Sequence, residues 1–316
     1  MIKVLVTGSS GFIGFHLCNN LLKNKFFVIG IDSHNKYYST KLKNKRLSFL
    51  KKKKNFVFKK INIQNKIKTE QLFLKFKPTI VFHLAGQPGV LYSLKNPNTY
   101  KANNVKATEN ISSLSKKFKV QQFILGSSSS VYGDQTKFPI KETFFPKPKN
   151  PYARTKLKSE KIVIQKLNDT STKFTIFRFF TVYGPFGRPD MFIHKFLNSI
   201  KRKKKIKLYN SGLNFRDFTY VDDLIKILIK SINKKIINKK IINICRSKPI
   251  LTNQIVKLIL KNFKTHHLKI VNTKFVKGEM KKTHGCNNLL KKYFRNIKFT
   301  NIQNGINNTI RIFKKY

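Results

Sequence analysis

Apolar positions fall into short runs separated by turns rich in glycine, asparagine and lysine, and two periodicities alternate along the chain. Lys3 to Val6, Phe27 to Ile31, Phe56 to Lys60, Ile80 to Leu84, Phe123 to Gly126 and Phe174 to Phe179 are β-rich stretches bounded by turn residues, which predicts strands. Between them Phe15 to Leu22, Thr69 to Phe76, Thr99 to Phe118 and Pro151 to Leu167 repeat apolar residues every three or four positions, which predicts helices. Further helices are predicted over Phe192 to Ile200 and Leu224 to Ile232, in a second half that reads as mixed α/β. Strand followed by helix, repeated, predicts a doubly wound parallel sheet. Such sheets bind ligands at the carboxyl ends of their strands.

Those strand ends carry the candidate chemistry. The first strand runs into Thr7-Gly8-Ser9-Ser10-Gly11-Phe12-Ile13-Gly14, where a glycine turn before a helix lets the backbone approach a pyrophosphate. The second ends in Asp32, placed to bind an adenosine ribose; a carboxylate there accepts a free 2'-hydroxyl and repels a 2'-phosphate, favouring NAD over NADP. Asn62-Ile63 and Leu84-Ala85-Gly86 end the third and fourth strands. The fifth leads into Ser127-Ser128-Ser129-Ser130, and Tyr152 with Lys156 lies on the helix that follows. Residues four apart share a helix face, so the ammonium favours the ionised phenol, a base for an alcohol proton. Tyr37 with Lys41 has the same spacing and reads as a surface pair, because no hydroxyl cluster faces it. Asp222 and Asp223 read as caps of the helix that follows them, and Tyr132 and Tyr183 as packing residues that line the cofactor cleft.

Composition changes this picture little. The 316 residues are 40% hydrophobic, enough for a large core, and no apolar run is long enough for a membrane span, so a cytoplasmic protein without membrane insertion is expected. Lysine and arginine total 67 against 12 acids, a formal charge of +55. That excess is spread over every segment beside abundant Asn, Ile and Phe, which points to an AT-rich coding bias and to no specific nucleic acid partner. The acids Asp32, Asp190, Asp217, Asp222 and Asp223 nevertheless fall in the motif stretches. Cys18, Cys245 and Cys286 are far apart, Cys18 in an apolar helix pattern, and the histidines, His266-His267 included, form no ligand pattern, so no metal is expected.

The glycine loop Thr7 to Gly14, Ser128, Tyr152 with Lys156, and Arg216-Asp217-Phe218-Thr219-Tyr220-Val221-Asp222-Asp223 occur in an order that resembles the extended short-chain dehydrogenase/reductase group of NAD-dependent nucleotide-sugar epimerases and dehydratases. Within it, Gly30 to Tyr38, Ala85 to Pro97 and above all Arg178 to Met191 are similar to bacterial UDP-glucuronate 4-epimerases. Three positions depart from that pattern: Leu91 for an arginine, Asn62 for an aspartate at the adenine, and Cys286 for an aspartate near the uridine end.

The resemblance implies a Rossmann NAD-binding domain over residues 1–180 with a returning segment near 214–248, and a nucleotide-sugar-binding region over 181–213 and 249–316. It implies NAD held by Gly8, Gly11, Phe12, Ile13, Gly14, Asp32, Asn62, Ile63, Leu84, Ala85, Gly86, Asn104, Tyr152 and Lys156. Tyr152, Lys156 and Ser128 would be catalytic, Tyr152 taking the proton of a sugar 4-hydroxyl. A UDP-sugar would meet Ser128, Ser129, Thr181, Arg188, Tyr209 and Arg216, the last at the pyrophosphate. Arg188 and Thr181 would grip a uronate carboxylate, which must be held because a 4-keto uronic acid is a β-keto acid. Ser129 and Ser130 stand where related dehydratases and decarboxylases carry an acid, which favours epimerisation. A homodimer through the helices Thr99 to Phe118 and Pro151 to Leu167 is the family's expectation. A UDP-glucose or UDP-N-acetylhexosamine 4-epimerase, and a degenerate relative that binds nucleotide or polyanion without turnover, remain as alternatives.

Overall fold

The computed structural model describes residues 1–263, 270–273 and 280–316. Strands β1 (Lys3–Thr7), β2 (Phe27–Asp32), β3 (Phe56–Lys60), β4 (Ile80–His83), β5 (Gln122–Ser128), β6 (Lys173–Phe179) and β7 (Lys240–Ile244) form one parallel sheet in the order β7-β6-β5-β4-β1-β2-β3. Val4 of β1 pairs with Val28 of β2 on one side and with Ile80 of β4 on the other. The chain moves outward from β1 to β3 and then crosses back to β4. This reversal opens a crevice above the ends of β1 and β4, where a parallel α/β sheet binds ligands.

Both faces of the sheet are covered, as its uninterrupted apolar strands require. Val4 and Val6 point into one layer with the helices Phe12–Lys23, Thr40–Lys51 and Val221–Lys230, while Leu5 points into the other, with Lys66–Phe76, Ala107–Lys117 and Pro151–Leu167. All three side chains have no exposed surface, and burying each contributes roughly 1.5–3 kcal/mol. A third apolar cluster joins the helices Phe192–Lys201, Thr252–Leu260 and Ile302–Lys315 around Phe196, Phe218, Ile255 and Ile306. This smaller region stands beside the crevice.

Several expectations need correction. The single helix over Thr99 to Phe118 is a short turn at Pro97–Tyr100, a π-helix over Lys101–Lys106 and an α-helix over Ala107–Lys117. The wider π turn leaves the Asn104 carbonyl to the hydroxyls of Thr108 and Ser159, which donate to it at 2.5 and 3.1 Å. The helix Thr40–Lys51 was not anticipated, because it buries Lys43 and Arg46 along with Leu47 and Leu50 and so lacks an apolar stripe. Asp222 and Asp223 make no cap; they occupy the first turn of Val221–Lys230, and Asp223 accepts from the backbone and hydroxyl of Thr300. Tyr132 and Tyr183 are buried away from the crevice, Tyr132 donating to Asn243 and Tyr183 packing on Phe218 and Tyr220. Cys18, Cys245 and Cys286 are all buried and free. His266-His267 lies outside the described residues.

Arg178 of β6 and Glu160 of the helix Pro151–Leu167 form a buried pair through two hydrogen bonds of 3.0 and 2.7 Å, with Ser127 donating to the same carboxylate at 2.5 Å. Removing one partner strands a charge in the core. Arg178→Leu is expected to lower stability by about 3–5 kcal/mol in denaturant titration, and Arg178→Leu with Glu160→Met to recover most of that loss.

Candidate active site

The strand ends converge on one cleft of about 820 Å³. Its floor is the glycine loop. Gly8 has φ +71°, a conformation that favours glycine, and a Cβ on Gly14 would lie 2.1 Å from the Gly8 carbonyl oxygen, so the loop can close on the helix only without side chains there. Asp32 sits at the end of β2 with one oxygen accepting the Ser10 N–H at 3.2 Å and the other the His34 N–H at 2.8 Å. The carboxylate is thereby fixed beside the loop.

A buried polar chain ties that loop to the next strand end. The Thr7 hydroxyl accepts the N–H groups of Leu84 and Ala85, at 3.1 and 2.9 Å, so its own hydrogen goes to His83 Nδ1 at 2.8 Å. His83 is then protonated at Nε2 and donates to Thr108 at 3.1 Å. Burial, together with the charge of Lys156, drives its pKa down to about 3 and keeps it neutral. Asn104 lies behind the cleft wall and does not line it; its carboxamide accepts from Gln87 N at 2.6 Å and donates to Thr155 at 2.9 Å. Gln87 was missed from the sequence. Its Nε2 is buried in the cleft lining without a protein acceptor, a donor that a ligand oxygen would satisfy.

Asn150 caps the helix Pro151–Leu167 by accepting from Ala153 N, and this first turn carries Tyr152 while Lys156 follows one turn later. Lys156 Nζ donates to the Gly126 carbonyl at 2.5 Å. Burial pulls its pKa down to about 8, against the opposing charge of Glu160. For Tyr152 burial raises the pKa, whereas a hydrogen bond from Ser128 and the charge of Arg188 pull it back. The Ser128 oxygen accepts from the Ser130 hydroxyl at 2.9 Å and from Ser130 N at 3.2 Å. Its own hydrogen is left to point at the phenol oxygen or at a substrate oxygen beside it.

The opposite wall comes from the chain after β6. Thr181, Arg188 and Arg216 line the cleft with Ser128 and Ser129. Arg188 donates to both oxygens of Asp190, and Arg216 to the carbonyls of Phe215 and Lys281. Tyr209 does not line the cleft: it ends the strand Ile206–Tyr209, 5.5 Å below the Lys195 ammonium. Tyr37 is no surface residue. It lines the cleft and donates to Asp190 at 3.0 Å, because the loop after β2 folds back over the opening. Of the three departures, Leu91 and Asn62 line the cleft and Cys286 is buried outside it.

A glycine loop at the switch point, an acid at the second strand end and a serine, tyrosine and lysine gathered at one opening define a dinucleotide-binding protein equipped to move a proton at a hydroxyl. The NAD dependent epimerase/dehydratase family profile matches residues 4–245, and the chain belongs to that family. The Staphylococcus aureus protein CapI is 42% identical over 234 residues, 74% of this chain and 70% of that one. The UDP-glucuronate 4-epimerase of Thermodesulfobacterium geofontis is 38% identical over 256 residues, 81% of this chain and 79% of that one. The crystal structure of UDP-glucuronic acid 4-epimerase from Bacillus cereus with UDP-glucuronic acid and NAD superimposes with a TM-score of 0.93 at 31% identity, covering 99% of both chains.

The lowered pKa of Lys156 has a measurable sign. Between about 8 and its ordinary value of 10.5 the folded protein binds fewer protons at this group than the unfolded chain, so stability at this site rises with pH across that window. Relative to Lys156→Met, the unmutated protein should gain stability as pH climbs from about 8, read from paired denaturant titrations.

Proposed function

We propose that the protein is an NAD-dependent UDP-sugar 4-epimerase acting on UDP-glucuronate and UDP-galacturonate. The observation that carries this reading is Arg188 in the cleft wall, its charge acting on the Tyr152 phenol. It is the cation whose charge acts on the phenol, and a uronate carboxylate suits it. The family's cofactor NAD supplies reversible hydride exchange at the sugar C4. Gly8 to Gly14 and Asp32 suit its pyrophosphate and ribose, with Asn62, Ile63, Leu84, Ala85 and Gly86 along the same floor, and Asn104 acts through the Gly86-Gln87 loop.

In this reading Tyr152 as phenolate takes the 4-hydroxyl proton and later returns it. Arg188 and the Ser128 hydroxyl favour the ionised phenol, and Lys156, one turn along the same helix, serves as the cation of the pair in this reading. Thr181 and Arg188 hold the carboxylate, and Arg216, at the far end, meets the diphosphate. Residues 1–180 with the stretch near 214–248 then serve the cofactor, and 181–213 with 249–316 the nucleotide sugar. The product is an activated acidic sugar, suited to polysaccharide biosynthesis in the cytoplasm.

Proton NMR of the anomeric signals tests this directly. UDP-glucuronate should convert to UDP-galacturonate, and Tyr152→Phe should slow conversion by about 10²–10⁴-fold. Turnover of UDP-glucose with UDP-glucuronate untouched would replace the reading with a neutral-sugar epimerase.

A homodimer through the paired helices belongs to the same proposal. Their outward positions carry Lys106, Lys116, Arg154, Lys158 and Lys161 against a single exposed acid, Glu109. Two such faces repel, and salt screens the repulsion. The dimer fraction in analytical ultracentrifugation should therefore rise with ionic strength; a fall would point to a different, ion-paired interface.

A further inference from the structure

Arg188 does not face the cleft as a bare cation. Its Nε donates to Asp190 Oδ1 at 3.0 Å and its Nη2 to Asp190 Oδ2 at 2.8 Å, while the Tyr37 hydroxyl, from a loop 153 positions away, donates to Oδ2 at 3.0 Å. All three residues line the same cleft. A guanidinium has five N–H donors in a planar fork. Asp190 takes the Nε edge, and among the described residues the guanidinium donates to no other acceptor, so the Nη1 edge is the one left for a ligand. A pair two residues apart on a loop would ordinarily be a solvated contact of little consequence. Here Tyr37 pins the acid from across the cleft, and its own ring packs on Tyr92 at 5.0 Å, which makes the arrangement a built one.

We propose that Asp190 is a positioning residue that both aims and weakens the grip of Arg188 on the substrate carboxylate, held for that purpose by Tyr37. The inference rests on the uronate reading above. An epimerase must oxidise one face of C4 and reduce the other, so the 4-keto sugar has to turn over between the two steps. A guanidinium at full charge, with both edges open, would hold the carboxylate against that turn. With Asp190 on one edge the charge of the cation is partly offset, and the sugar carboxylate is taken on the other edge, strongly enough to be located and weakly enough to be released. Tyr37 keeps the acid in place while the sugar moves, so the grip returns to the same geometry on the second face.

The test is Asp190→Asn, which keeps the shape, removes the charge and sits at a partly exposed loop position where folding is not at risk. Affinity is measured by calorimetry on NAD-loaded protein carrying Tyr152→Phe, so that nothing turns over. UDP-glucuronate is expected to bind about three- to tenfold tighter than without the Asp190 change, with UDP-glucose unaltered. With Tyr152 intact, kcat and KM for UDP-glucuronate should fall together. The keto sugar then persists longer, the hydride taken from C4 stays on the cofactor, and near-ultraviolet absorbance of the reduced form builds up. A merely structural role would weaken both ligands alike. Weaker or unchanged binding of UDP-glucuronate by the Asn variant, with no added build-up of reduced cofactor, overturns the proposal alone. Wild-type protein that neither prefers nor converts UDP-glucuronate overturns the uronate reading and the proposal with it.

Discussion

Four consecutive carbonyl groups constrain the substrate side of this molecule. After the short strand Thr181–Tyr183 the chain runs through Gly184, Pro185, Phe186 and Gly187 with no ladder to bond to, yet it is buried against the sheet. Unpaired buried carbonyls are costly, and here side chains from three helices take each one. His194 meets Gly184 O, His16 meets Pro185 O, and Arg46 donates to Phe186 O and Gly187 O. Arg46 has no exposed surface and no acid among its hydrogen-bond partners; its remaining donors go to Tyr38 and to the Ser10 carbonyl of the glycine loop. One guanidinium thus fastens the loop that presents Arg188 to the loop that forms the cofactor floor.

The proton machinery depends on burial in a comparable way. Removing water from around Lys156 lowers its pKa, and around Tyr152 raises it, so the isolated pair is poised against the charge separation it needs. Glu160, one turn beyond Lys156, counters the first effect, but a bare buried carboxylate would itself be unstable; Arg178 and Ser127 hold it. The chain of dependence runs from Arg178 in β6 through Glu160 to Lys156.

The strands were legible because each is a dense apolar run with a turn on either side, and the glycine loop because backbone crowding at Gly8 and Gly14 admits no other residue. The final sheet strand, Lys240–Ile244, was not singled out, since Ile-Ile-Asn-Ile lies in a lysine-rich stretch where flanking turns are hard to tell from strand ends. Arg46 and Lys43 were invisible for a different reason: among 67 cationic residues a buried one has no mark in the sequence. Tyr37 was misread because its partner, Asp190, is brought to it only by the tertiary fold. Tyr209 carries the converse lesson, as its expected place came from likeness alone and its ring lies under Lys195, one residue back from the cleft lining.

The scarcity of acids sharpens the meaning of those that remain. Asp32 fixes Ser10, Glu142 accepts from Asn243 N, Glu160 pairs with Arg178, Asp190 with Arg188 and Tyr37, and Asp223 with Thr300. Asp217, with no exposed surface, accepts the N–H groups of Ser247 and Gly285 and so joins three chain segments beneath Arg216. Burial raises its pKa to about 6 even against those donors. These six of the twelve acids each join parts of the chain that are distant in sequence. Surface charge is free to drift toward lysine because exposed pairs contribute little. A carboxylate that joins two segments or pairs with a guanidinium makes a contact that a lysine could not make, and such acids stand in the motif stretches of a chain of charge +55.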